Sequence, residues 1–474
     1  MDKITLLCLS QFIERFNTND PLALFNTVEE VSSWLNGSVK SICELTSFNT
    51  VQQELLDVAK AIVQGKSVTG RLCYNLKQAL INMQEEIINK FDVVVFVTDK
   101  IKLKFNKDVE VISIKNETDC IDTAYGIKDR LKYLIYKKGE GVSEELMNAV
   151  DIVVDFEELL SAVSECYPID IFTYDRLYLM AKLNRIKNQQ SEILITGSSY
   201  AMVGLLEDRM PKLASNVAVN AQDLYYSLLS VKEAMKRSSK IETIVMPISY
   251  YFFFTNMTNK PSDYMLSVLS KVNYPVYNNL HGYSGKLLPL YNKVVKSPLY
   301  ERMINFEEVR DMYYEAVIRD LENLPYYNSI NVRPIGGLLS YNFKEKSDEQ
   351  NFASAKVRTN AHNKIFDLDK GIENQKLLDN FLDNMDELGK KVIFFIPPTT
   401  KFYKKWISDE MAQVYNKLVL DTLTKHKCCR IIDLFNSDYF VDDDFQDYDH
   451  LNLCGAKKLS EIIAKAIGGE EVCH

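Results

Sequence analysis

The sequence predicts an α/β protein of two domains: a smaller α/β domain over residues 1–168, and a larger one over 169–474 built on a five-stranded parallel sheet. Three observations predict this. Short runs of β-branched and aromatic residues, bounded by charges, recur between stretches with helical spacing, the pattern of parallel strands covered on both faces. At 474 residues the chain exceeds what one ordinary core organises. Cys166-Tyr167-Pro168 also breaks the pattern and marks the boundary.

Residues 1 to about 90 read as helices: Leu55, Val58, Ala59 and Ile62 share one face, as do Leu76, Ala79, Leu80 and Met83. The period then changes to strands at Asp92–Thr98, Val109–Ile114 and Asp151–Phe156. No glycine-rich turn follows any of them, so the dinucleotide fingerprint is absent and a recognition or assembly role is expected of this domain. A helical segment with Leu177, Met180 and Leu183 on one face opens the second domain. Its strands are expected at Ile193–Thr196, Val217–Val219, Thr243–Pro247, Val392–Ile396 and Arg430–Leu434. More than 140 residues separate the third from the fourth. This tyrosine-rich interval contains a helical insertion at about 257–385, with one helix across Phe306–Leu321, and would form a lid or substrate wall. Leu459, Ile462, Ile463, Ala466 and Ile467 form the stripe of a last helix that stops at Gly468-Gly469.

Composition narrows the function classes. Hydrophobic residues at 46% and charged residues at 26% are ordinary for a globular protein. A net charge of -9 and a pI near 5.4 argue against nucleic acid as the main partner. Ile4–Leu9 is too short for a secretion signal, and no run approaches the roughly 20 apolar residues that span a bilayer, so a cytoplasmic location is expected. The nine cysteines are odd in number and scattered without a C-x-x-C pair, so no disulfide framework or zinc ribbon is expected.

Two stretches carry chemistry. Ile193 to Thr196 runs into Gly197-Ser198-Ser199-Tyr200, so a strand ends in a tight turn and a helix start. That places a serine at the carboxyl end of a parallel sheet, where ligands collect and helix N–H groups meet negative charge. Ser199 is the candidate nucleophile. The same turn also fits a plain helix cap or a phosphate cradle, although the P-loop lysine is missing. Near the C-terminus, Asp447 and His450 stand three apart, so the carboxylate can accept the imidazole N–H and leave the other nitrogen to deprotonate a serine. The chain has only five histidines, which makes one so placed informative. Asp442, Asp443, Asp444 and Asp449 crowd the same stretch, so a solvated acidic loop or a divalent-metal site are the alternatives.

Gly197-Ser198-Ser199-Tyr200 resembles the first block of the SGNH, or GDSL-like, hydrolases, with Ser198 where Asp usually stands. Asp447-x-x-His450-Leu451-Asn452 with Gly455-Ala456 resembles their last block. The resemblance covers about residues 170–474. It implies a three-layer α/β/α fold, Ser199 as nucleophile, His450 as base and Asp447 as its partner, and no cofactor or metal. The family's oxyanion glycine would fall at Asn220 or Ala221, contributing a backbone N–H beside that of Ser199. The family's oxyanion asparagine would follow the third strand, where this chain has Ile248-Ser249-Tyr250-Tyr251; Ser249, Tyr250 or Asn220 would have to donate instead. Ile396-Pro397-Pro398-Thr399-Thr400 ends the fourth strand at the same sheet edge. Arg358 and His362 stand at i, i+4 on a helix of the insertion and, with Tyr250, are possible substrate contacts. The Tyr250–Phe254 segment fits either an acyl or sugar pocket or the core.

The expected function is therefore a serine esterase or O-acyltransferase acting on an O-acyl ester, acetyl foremost, of a carbohydrate or cell-envelope precursor. The alternative is a non-catalytic carbohydrate-binding or assembly protein with a degenerate site.

Overall fold

The computed structural model describes residues 3–16, 26–35, 45–64, 70–98, 101–139, 141–259, 261–291, 298–325 and 345–470. The chain forms two compact units, Met1–Pro168 with Lys293–Tyr313 and Ile169–Asn292 with Tyr314–His474. Both are mixed α/β units with all-parallel sheets. Among the described residues no helix is long and apolar enough to cross a membrane.

The first unit carries helices Lys3–Arg15, Phe48–Val63 and Gly70–Ile88 before its sheet. Leu55, Val58, Leu76, Ala79, Leu80 and Met83 are buried as their spacing requires; the side chain of Ile62 lies outside the described residues. Four strands, β1 (Asp92–Thr98), β2 (Val109–Ile114), β3 (Arg130–Tyr136) and β4 (Ile152–Asp155), stand in the order β2-β1-β3-β4. The strand β3 was not expected. Arg130 and Lys132 disguise it, yet Leu131, Tyr133, Leu134 and Ile135 are buried. Lys132 lies in the interior because its ammonium donates to the Ala124 carbonyl at 3.0 Å. Val94, Phe96 and Leu134 pack on one face against Cys120, Ala124, Leu146 and Ala149. The excursion Lys293–Tyr313, sequentially inside the insertion, belongs to this unit: the Tyr133 hydroxyl donates to the Leu299 carbonyl at 3.0 Å, and Phe105 pairs with Ile304.

The second unit holds β5 (Ile193–Ile195), β6 (Ala214–Asn216), β7 (Thr243–Pro247), β8 (Lys391–Ile396) and β9 (Cys429–Asp433), in the order β6-β5-β7-β8-β9. The edge strand β6 lies three residues before the expected Val217–Val219. Its register on β5 starts at Ile193 opposite Ala214, and small polar residues form it: Ser215 shares a hydrogen bond with Ser191 at 2.8 Å. Val217 and Val219 remain buried just beyond. The leading helix, Ile171–Gln189, buries Leu177 and Leu183, whereas Met180 is exposed and Lys182 takes an interior position, paired with Glu207 at 2.9 Å. Alternate residues Leu194, Ile244, Met246, Val392, Phe394 and Ile396 build one core with helices Leu224–Arg237, Leu368–Glu387 and Asp409–Leu423. Helices Asp348–Asn363 and Leu368–Glu387 fall in the expected insertion; its residues 260, 292–297 and 326–344 lie outside the described ones. Because β5 has β6 on one side and β7 on the other, the strand order reverses there, and the carboxyl ends of these strands frame a crevice.

Candidate active site

Gly197 turns the chain out of β5 at φ 125°, a conformation that disfavours any side chain, and a Cβ there would stand 2.5 Å from Pro247 Cδ on β7. The turn delivers Ser199 as the first residue of helix Ser199–Gly204. On the other side, the C-terminal loop is folded back on itself by the Phe445–Leu451 bridge and by Gln446 N–H donating to the His450 carbonyl at 2.9 Å. Asn452 caps the following helix, Leu453–Ile467, accepting from Cys454 and Gly455 N–H. Gly455 is required by space, since a Cβ there would meet the Asp444 carbonyl at 2.3 Å. Thr400, at the end of the β8 loop, donates its hydroxyl to the Tyr448 carbonyl at 2.8 Å and ties that loop to the turn.

These two segments bring the expected residues together. Ser199 Oγ lies 2.9 Å from His450 Nε2. His450 Nδ1 lies 2.8 Å from Asp447 Oδ2 and 3.0 Å from Oδ1, while Oδ1 also accepts the N–H groups of Asp449 and His450. An ionised carboxylate can only accept, so the shared proton sits on Nδ1 and Nε2 is left to accept from the serine. All three side chains are buried. Burial disfavours the imidazolium, but the carboxylates of Asp447 and Asp449 outweigh it and hold His450 above its ordinary 6.5.

A second layer was not legible beforehand. Tyr200, next to the nucleophile, stacks on the His450 ring at 5.1 Å and donates its hydroxyl to Asp449 at 2.9 Å. Asp449, fully buried, also accepts from Arg358 Nε at 3.0 Å and Nη2 at 3.2 Å. Burial pulls the Asp449 carboxyl up, yet Arg358 and His450 beside it hold it far below the usual carboxylate range. Arg358 is thus first a partner of this carboxylate, though it also lines the cleft. The sequence signals were the crowding of aspartates and the i, i+4 pair Arg358 and His362, which pointed to a substrate contact rather than to a partner of Asp449. Among the described residues, Asp447, Asp449 and His450 are also close enough together to share a metal ion. Their oxygens and nitrogens are already committed to one another, to Arg358, to Tyr200 and to Ser199, so the set fits a proton relay better than a metal.

The cleft above Ser199 has a volume of about 520 Å³ and is lined by Asn220, Ala221, Tyr251, Tyr264, Arg358 and His362, among others. Ala221 adopts φ 55°, the left-handed conformation natural to glycine. Among the described residues, the backbone N–H groups of Ser199, Asn220 and Ala221 donate to no protein acceptor, which leaves them available to an oxyanion. The Asn220 side chain is engaged with the Tyr264 hydroxyl at 2.8 Å. Two expected residues stand elsewhere. Ser249 Oγ accepts from Phe252 N–H in the turn after β7, and the Tyr250 ring packs on Tyr415 and Phe435; both border a separate small hollow. The neighbouring Tyr251 reaches the cleft instead, with His362 stacked on it at 3.9 Å, while Phe252, Phe253 and Phe254 are buried. Comparison with known proteins finds no family model that matches this chain and no curated protein similar to it in sequence.

Proposed function

We propose that the chain is a serine esterase or O-acyltransferase acting on an O-acyl ester, with the layout of an SGNH hydrolase in its second unit. The observation that carries the reading is the unbroken relay Ser199 Oγ, His450 Nε2, His450 Nδ1 and Asp447, with contacts of 2.9 and 2.8 Å. Ser199 attacks the ester carbonyl as His450 Nε2 takes its proton. The N–H groups of Ser199 and of Asn220 or Ala221 receive the oxyanion. The tetrahedral adduct collapses, the C–O bond to the alcohol breaks, and His450 returns the proton to the leaving oxygen. Water or a substrate hydroxyl then attacks the acyl carbon as His450 takes its proton, the bond to Ser199 Oγ breaks, and His450 returns that proton to Oγ. A cleft of this size with tyrosine, arginine and histidine on its walls suits a small acyl group on a polar, carbohydrate-like alcohol.

A second reading, a binding module without turnover, draws support from Ser249, which offers no side-chain donor to the cleft. A fluorophosphonate probe separates the two. Labelling of the wild type that disappears in Ser199→Ala is expected; an unlabelled wild type would establish the binding reading.

A further inference from the structure

His362 lines the cleft from helix Asp348–Asn363 and is 7% exposed. Its ring is held by two neighbours, Tyr251 and Tyr403. It stacks on Tyr251 at 3.9 Å and 20°, lies edge-on to Tyr403, and shares a short hydrogen bond between Nδ1 and the Tyr403 hydroxyl. The other nitrogen, Nε2, has no partner among the described residues. A ring so held has one nitrogen left to offer a ligand of the cleft that it lines. Burial and the Arg358 guanidinium hold the ring neutral, its pKa pushed down to about 3 despite nearby Asp449. Tyr403 keeps its phenolic proton, burial having raised it far above the ordinary range. An imidazole nitrogen is a better acceptor than a phenol oxygen, so Tyr403 donates to Nδ1 and the ring proton stands on Nε2.

We propose that His362 Nε2–H contacts the substrate, donating to the carbonyl oxygen of the bound acyl group and supplying the side-chain donor that the turn after β7 lacks. This rests on Ser199 being the nucleophile. A neutral imidazole suits the task, because its N–H stabilises developing negative charge without giving up a proton to it. The donor then comes from the insertion rather than from the sheet.

The test uses the full chain and p-nitrophenyl acetate. His362→Phe keeps a ring against Tyr251 and removes both nitrogens; His362→Gln restores an N–H donor near the place of Nε2. Thermal melts establish that each variant is folded. The expected result is a kcat lower by roughly 10²–10³-fold in His362→Phe, as for loss of one oxyanion donor. KM should change little, His362→Gln should recover at least about tenfold of the loss, and the acid limb of the pH profile should stay in place. Activity within about threefold of wild type in a folded His362→Phe, or no recovery in His362→Gln, would overturn the assignment. Absence of any Ser199-dependent turnover in the wild type would remove the serine-hydrolase reading itself, and this inference with it.

Discussion

Asp447 decides which nitrogen of His450 carries its proton, and with Asp449 it raises the pH at which that ring loses its charge. In the proposed mechanism His450 must be neutral to accept from Ser199. A raised pKa therefore places the acid limb of kcat/KM above 6.5, with activity falling as pH drops through it. Asp447→Asn should lower kcat by about 10⁴-fold and move that limb downward, read from a pH–rate profile on p-nitrophenyl acetate. Ala221 makes a second prediction at this scale. At φ 55° it bears the strain of a Cβ in the left-handed region. Ala221→Gly should raise stability by roughly 1 kcal/mol in a denaturant melt without loss of activity; a less stable variant would mean that the Ala221 methyl packs usefully. Asp447 and His450 were legible as a pair from their three-residue spacing, and Ser199 from the strand-to-helix turn at Gly197, with the family resemblance alone linking the two segments. Arg358 and Asp449 were not legible as a pair, since no local pattern links two residues so far apart in sequence, and Ser249 was misplaced because backbone direction after β7 decides which side chain reaches the cleft.

Elements were legible where apolar runs announced them, and this held for β1, β2, β5, β7, β8 and the final helix. It failed where polar side chains hide a ladder: β3 behind Arg130 and Lys132, and β6 in the small residues Ala214, Ser215 and Asn216. An ion cluster also works at this scale. His426, in the turn before β9, places its two ring nitrogens 3.0 Å from Asp379 and Asp386 of helix Leu368–Glu387. Burial opposes the charged ring, but these carboxylates prevail and raise His426 above 6.5. The stabilisation is complete below that ordinary value and is lost as pH climbs through the raised one. The loss of melting temperature in His426→Gln should therefore be greater at about pH 6 than at about pH 9. Both aspartates are partly exposed, so added salt should shrink it.

At the scale of the whole molecule, the break at Cys166-Tyr167-Pro168 coincides with a boundary between compact units, but the return of Lys293–Tyr313 to the first unit had no signal in the sequence. Periodicity reports that Leu299, Met303, Ile304 and Phe306 need burial; it does not say against what. A fragment beginning at Ile169 should therefore expose these four side chains and aggregate in size-exclusion chromatography. Leu299→Gln with Met303→Gln should restore a monodisperse peak, whereas an unmodified fragment that is already monodisperse would refute the division. The excursion also bears on synthesis. Residues 1–168 are synthesised well before residue 293, so that unit lacks Leu299 and Met303 until much of the second unit has also been made. By then β5, β6 and β7 are out while β8, β9 and His450 are still to come. Neither unit can finish as a closed vectorial step, and during that interval the nascent chain presents two incomplete cores at once, the condition under which chaperones are engaged.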